Sequence, residues 1–347
     1  MFRLKGIEFE VLKSLPSAKD FTDVSRAARI SLSSVRRVLQ RLSEKFLIRG
    51  NFYLEGFGYE LLLVEKEFDP ALFSRPLPFI LEKIPVSTGK NKAVTYLLVL
   101  SPRGMREETA DILRVDEVLP VRKFVWRPDY SSELTLQKGT LVLGLDSVVK
   151  AMESGFIPRL EPTIEQRPDP IDLWIMAEIT RDPFVSLSRE ARKMGIRQQT
   201  ASYHYTQHVQ PFHIFNALTP RFYSYRVAGL FLEVSTSPGM AEQVSWALST
   251  HPMIRETFSL PEDKVYVLTY LQGRELWELF NVLRESDLIA DFKVKGALTL
   301  KIMEYTPPFG PAFQENPYNL QPLYESIHTP SRSGNWAVYD ISEEAPP

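Results

Sequence analysis

Four side chains on one short stretch raise the first question of chemistry. In "ISLSSVRRVLQRL" (30–42), Arg36, Arg37, Gln40 and Arg41 follow Ser33 and Ser34. Guanidinium and amide groups can donate paired hydrogen bonds to guanine and adenine edges, and hydroxyls and guanidiniums can hold phosphate oxygens. Arg29 before the stretch, and Arg49 and Asn51 after it, extend the set. The bland alternative is the solvated face of a structural three-helix unit.

A second cluster lies far downstream. His204, His208 and His213 are three of the five histidines of the chain, a density that raises the question of a metal. On a helical wheel His204 and His208 fall beside Ala201 and Tyr205, toward the inner flank. No carboxylate lies between 191 and 232. These residues therefore read as packing histidines, with no metal and no cofactor. Catalytic motifs are missing: there is no G-x-S-x-G, no H-E-x-x-H and no G-K-[ST], and "LGLDSVVKAMESG" lacks phosphate-loop spacing. The acidic residues show no defensible pairing. Phe231, Trp246, Tyr266, Tyr270, Trp277 and Phe280 read as core, with a few able to line a cleft. The reading is non-enzymatic.

The elements that must position these groups follow from pattern. The 347 residues suit two or three domains, and 44% hydrophobic with 24% charged residues is ordinary globular composition. There is no cysteine, which excludes disulfides and thiolate chemistry. No apolar run approaches the ~20 residues of a membrane span, and "MFRLKGIEFEVL" mixes charges into its apolar residues, unlike a signal peptide. The expectation is a cytoplasmic protein with no membrane partner. Residues 1–50 hold 11 Lys/Arg against 5 Asp/Glu, a balance of +6 in a chain whose total is −2. A basic first fifth on an acidic body points to a local polyanion-binding module.

Ile7, Val11, Leu12 and Leu15 predict a helix stopped by Pro16. "DFTDVSRAAR" predicts a second, capped by Thr22 or Asp23, with Val24, Ala27 and Ala28 inward. Ser31 predicts the N-cap of a third over 32–46, with Val35, Val38, Leu39, Leu42 and Phe46 as its inward stripe. "FLIRGNFYLEGFG" predicts a strand pair where a wing would sit. Strand "GYELLLVEKEF", helix "DPALFSRPLPFILEKI", short strand "PVSTGK", strand "AVTYLLVLSP", helix "MREETADILRV" and strand "VLPVRKFVWRP" give βαββαβ order. The plan then repeats. Helices "IDLWIMAEI", "SLSREARKM" (capped by Ser188) and "RQQTASYHYTQHVQ" precede "AGLFLEVST" and a second βαββαβ run. "VTYLLVLSPRG" at 94 and "VYVLTYLQGRE" at 265 match in pattern. The predicted fold is α+β: winged helix-turn-helix units (1–56 and 168–225) alternating with ferredoxin-like sandwiches (57–128 and 226–305). A linker spans 129–167 and a Pro-rich tail 306–347.

On these features the chain resembles the Lrp/AsnC family of prokaryotic, archaeal-type transcription regulators. "ISLSSVRRVLQRLSEKFLIRG" is similar to its recognition helix and strand entry. "IPVSTGKNKAVTYLLVLSP" is similar to its effector-loop stretch, with Thr88 and Gly89 as candidate ligand residues. The resemblance implies a sequence-specific regulator bound to double-stranded DNA, with a small-molecule effector at the sandwich interface. Two copies in one chain imply an intramolecular pseudo-dimer whose sheets pack on each other, with further self-association open. Gly89 is followed by Lys90, Asn91 and Lys92 in place of the acidic residue common there. The second third-helix offers Arg197, Gln199, Ser202, Tyr203, Thr206 and Gln207, a secondary DNA face. The siroheme decarboxylases resemble the same architecture, and in that alternative His251 and Arg255 of "THPMIRE" would serve the tetrapyrrole. A non-DNA assembly platform is the remaining reading.

Overall fold

Local signals decide where the first three helices begin and end. In the computed structural model, which describes residues 3–89, 92–131, 133–158, 166–221, 229–298, 301–310, 313, 316–329 and 336–342, α1 (Gly6–Ser14) stops just before Pro16. Helix α2 (Phe21–Ala28) starts on Asp20, whose carboxylate accepts from the backbone N–H of Thr22 and Asp23. Asp20 therefore takes the cap expected of Thr22 or Asp23, and Ala27 faces outward rather than inward. Helix α3 (Leu32–Ser43) starts on Ser31 as expected. It ends three residues early because Phe46 opens strand β1 (Phe46–Phe52). Val35, Val38, Leu39, Leu42 and Phe46 form the buried stripe.

The expected wing hairpin does not form. After β1 the chain makes a 3-10 turn at Leu54–Phe57, and β1 pairs with a strand of the second half. Strand β2 (Tyr59–Glu67) follows. The next helix, α4 (Pro70–Phe73), is four residues long. Pro76 and Pro78 lack the N–H that would continue it, so the rest of the predicted helix enters strand β3 (Ile80–Gly89). Then come β4 (Lys92–Pro102), α5 (Arg106–Leu113), β5 (Leu119–Pro120) and β6 (Arg122–Val125). Lys90 and Asn91 lie outside the described residues. The expected linker carries a hairpin, β7 (Thr135–Gln137) and β8 (Thr140–Val142), and helix α6 (Asp146–Ser154).

The second half opens with α7 (Pro170–Arg181), α8 (Leu187–Lys193, with Ser186 rather than Ser188 at the N-cap position) and α9 (Gln198–His204). A π-helical turn at Tyr205–Val209 and a 3-10 turn at Gln210–Phe212 lead into β9 (His213–Pro220). Strand β10 (Gly229–Thr236), α10 (Ala241–Ser249), β11 (Ile254–Leu260), β12 (Lys264–Thr269), α11 (Gly273–Glu285) and β13 (Ile289–Leu298) form the second βαββαβ run. Strand β14 (Met303–Glu304) and α12 (Gln321–His328) complete the chain. Among the described residues after 306, Phe309, Phe313, Leu320 and Leu323 pack with Leu173 and Trp174 of α7.

The two sandwiches fuse edge to edge; they do not stack face to face. The ten-stranded sheet runs β5-β2-β4-β3-β13-β10-β12-β11-β6, with β14 beside β3. The halves join where Val86 and Ser87 of β3 face Leu298 and Ala297 of β13. A Cβ on Gly296 would lie 2.2 Å from the Ser87 carbonyl oxygen, so the seam is closed only by glycine. At the far ends, β5 and β6 are separated by Val121 alone, yet β5 pairs with β2 and β6 with β11. One continuous chain segment thus forms both edges, and the sheet curls until they meet. Leu63, Ile84, Tyr96, Leu98, Val121, Phe231, Phe258 and Leu268 fill the interior, as a barrel of about eight strands requires. Strands β1 and β9 form a separate antiparallel ribbon. Among the described residues no helix is long and apolar enough to cross a membrane.

A charged cleft as candidate active site

The β1–β9 ribbon lies over one end of the barrel. Between them is a cleft of about 360 Å³ lined by Phe52, Phe124, Phe215, Trp246 and Tyr305 among others, with Glu82 and Lys123 inside it. Glu82 gets there by a β-bulge. The β3–β4 register shifts between Ile80 and Glu82, and this turns the carboxyl to the barrel interior. The second copy does the same: the β11–β12 register shifts between Ile254 and Glu256. Glu82 faces Leu98 and Glu256 faces Leu268 across these ladders. The two glutamates are equivalent residues of the two repeats, brought together by barrel closure.

Lys123 of β6 bridges them. Its ammonium pairs with Glu82 and lies 2.7 Å from Glu256. Arg255 lies 3.4 Å from Glu256 and pairs with Glu304 of β14. Burial and the Glu256 charge push the Glu82 carboxyl well above the usual range. Burial acts the same way on Glu256, but Lys123 and Arg255 overcome it and hold that group low. Glu82 therefore keeps a proton that Glu256 gives up, as in any close pair of carboxyls. Burial disfavours the Lys123 ammonium, yet Glu256 and Glu82 raise its pKa above that of an ordinary lysine. Two buried polar atoms here lack a hydrogen-bond partner: Glu82 Oε2, which accepts from no donor, and the Tyr305 hydroxyl. Buried groups are normally satisfied, and both atoms lie closed off from solvent beside the cleft. The rim is basic and aromatic. Arg122 lies 2.8 Å from Glu242, and the Arg127 guanidinium sits 4.2 Å from the Tyr130 ring centroid and 4.4 Å from that of Phe215.

Of the residues expected to read DNA, Arg41 and Arg49 are used inside the fold, whereas most of the others stay exposed. Arg41 pairs with buried Glu8 at 2.8 Å. Arg36 lies over the Phe21 ring, and with Gln40 it lines a separate cavity between α3, β1 and the end of α7. Ser33 and Ser34 hydroxyls bond to the cap Ser31. Arg49 donates to the carbonyls of Arg181, at 3.0 Å, and of Ile341. Asn51 sits on β1 opposite Phe215. Arg29 ends α2 in a left-handed conformation and is exposed, as are Ser33, Arg36, Arg37 and Gln40. Arg197, Gln199, Ser202, Tyr203, Thr206 and Gln207 are all exposed on the second unit. Thr88 and Gly89 sit at the exposed end of β3, away from the cleft. His251 is buried and spent on the Leu143 carbonyl and the Met253 N–H, whereas Arg255 does join the buried cluster. Glu82, Lys123 and Glu256 were not singled out from sequence. Aligning "FILEKI" with "MIRETF" would have shown the glutamate pair, but the helical reading of 69–84 concealed it.

No protein-family model matches the chain, and no curated relative matches it. Crystal structures described as the siroheme decarboxylase NirDL, alone and in co-complex with an iron-uroporphyrin III analogue, superimpose with TM-scores of 0.44 and 0.45 at 12% and 13% identity. They cover 84% and 85% of this chain and 91% and 90% of their own. Both are described as an enzyme and neither as a DNA-binding protein. Those descriptions stand against the expectation of a non-enzymatic DNA-binding regulator, and Arg41 and Arg49 are engaged inside the fold.

Proposed function

We propose that the chain, a duplicated Lrp/AsnC-type layout, is an enzyme that decarboxylates a tetrapyrrole-type polycarboxylate in the cleft beneath the β1–β9 ribbon. The observation that carries this reading is the Glu82–Glu256 pair bridged by Lys123 in a cleft lined by Phe124, Phe215 and Trp246. A flat conjugated ring rests against Phe124, Phe215 and Trp246, which also strip water from a carboxylate arm placed among them. When the C–C bond to the carboxylate breaks, its electron pair passes into the ring and CO2 leaves. The methylene carbon then takes the proton held by Glu82, and water restores it. Carboxylate plus proton becomes C–H plus CO2, with no change of oxidation state at the protein. Lys123 balances the charge on Glu256 throughout and on Glu82 after it has given up its proton.

The test adds siroheme or iron-uroporphyrin III to the purified chain. A Soret shift on binding and a mass loss of CO2 from the ligand are expected. Glu82→Gln keeps the Soret shift and lowers turnover by about 10²–10⁴-fold, the usual contribution of a positioned acid. No Soret shift, or full turnover by Glu82→Gln, overturns the proposal.

A further inference from the structure

The start of α7 brings two carboxylates to the histidine pair that looked isolated in sequence. Asp172 is buried, and its Oδ1 lies 2.9 Å from His204 Nδ1 and 3.2 Å from His208 Nδ1. Asp169 Oδ2 lies 3.4 Å from His204 Nδ1, too far for a good hydrogen bond. The four ligand atoms all lie within 4.8 Å of one another. The carboxylates escaped the sequence reading because they precede the histidines by more than 30 residues and belong to a different helix.

Three features go beyond a chance His–Asp contact. Both imidazoles present the same nitrogen to one carboxylate oxygen, and their ring centroids are 4.9 Å apart. The other atoms of both carboxylates are already committed to shaping the helix start: Asp169 Oδ1 accepts from Ile171 and Asp172 N–H, and Asp172 Oδ2 accepts from Asp169 N–H. Asp169 Oδ2 and Asp172 Oδ1 are thereby turned to the histidines, and Asp172 Oδ2 also lies 3.3 Å from His208 Nδ1. Finally, the chain leaves α-helical geometry at Tyr205–Val209, a turn that starts after His204 and contains His208, and π-helical turns inside helices are frequent at functional sites. Three of the six spacings, at 2.9–3.4 Å, are close to the tetrahedron edge of about 3.3 Å for metal–ligand bonds near 2.0–2.1 Å, and the rest lie within 4.8 Å.

We propose that Asp169, Asp172, His204 and His208 form a four-ligand site for a divalent transition metal, with Zn²⁺ as the best match to two imidazoles and two carboxylates. Four protein ligands leave no open position, so the ion is structural. It pins α9 and its π-helical turn to the start of α7. Thr180, near the other end of α7, lines the cleft, about 12 Å along the helix axis from Asp172 at 1.5 Å per residue. The proposal is independent of the reaction assigned to that cleft.

The test titrates Zn²⁺ or Co²⁺ into untagged, chelator-treated full-length chain. Saturable binding of one equivalent, the intense visible absorption of tetrahedral Co²⁺ and a rise in thermal midpoint are expected. His208→Gln lowers affinity roughly tenfold or more, and Asp172→Asn does the same. Gln207→Ala, an exposed neighbour, leaves it unchanged. If Asp172→Asn fails to fold, His208→Gln decides alone, because that side chain is partly exposed. Absence of one-equivalent binding, or unchanged affinity in His208→Gln, overturns the site.

Discussion

The two ends of the barrel carry the same design under different burial. At the cleft end, the repeat-related Glu82 and Glu256 meet over Lys123. At the opposite mouth, an open cavity of about 730 Å³, the two repeats supply Glu65 facing Tyr96 and Glu233 facing Tyr266. There Tyr96 donates to Glu65 at 2.6 Å, and Lys293 approaches Glu233 at 2.7 Å, while Lys295 lies 3.6–3.7 Å from Glu233 and Glu65. Burial raises the Glu233 pKa in principle, but Lys293 and Lys295 outweigh it and hold the carboxylate low. Glu82 goes the other way. Residue type is the same at both ends. What differs is water: where it is excluded and two carboxyls share one cation, one of them keeps a proton that chemistry can use.

Breaking the bridge at the buried end has the largest expected effect on stability. Lys123→Met leaves buried Glu82 and Glu256 without their common cation and costs about 3–5 kcal/mol, read from urea unfolding midpoints. Adding Glu82→Gln and Glu256→Gln to that variant restores most of the loss. Recovery of nothing means the lysine acts through packing alone. A smaller effect is expected at the seam between the repeats. Gly296→Ala forces a Cβ against the Ser87 carbonyl and costs about 1–3 kcal/mol. An unchanged midpoint would mean that the β3–β13 junction opens freely.

The finest distinction is in the sign of pH dependence. Glu82 binds its proton more tightly folded than unfolded. It therefore weakens the fold as pH rises from about 4.3, the usual glutamate value, through its own raised pKa. Glu233 binds its proton less tightly folded, so its contribution is present above about 4.3 and is lost as pH falls through its lowered pKa. Stability-versus-pH curves of Glu82→Gln should flatten on the neutral side, and those of Glu233→Gln on the acid side. The same slope change in both would erase the contrast between the two ends.

The helix-turn-helix units show what could be read in advance. Caps, the apolar stripe of α3 and the outward polar face of α9 follow from spacing within one element, and the structure reproduces them in Ser31, Val35, Leu42 and Gln199. Where the reading failed, a distant residue decided. Arg41 looked free for phosphate, but Glu8 of another helix holds it. His204 and His208 looked unaccompanied, but α7 supplies Asp172.

By itself the sequence determined the order and duplication of the elements, because helix and strand periods and turn residues act over a few positions. Only the tertiary structure decided that the two sheets close into one barrel. It alone set which carboxyl lies in water and which beside another carboxyl, and which cations are already paired. Those outcomes rest on burial and on contacts between residues tens to hundreds of positions apart, such as Lys123 with Glu82 and Arg49 with Ile341, and neither leaves a local signature in the chain.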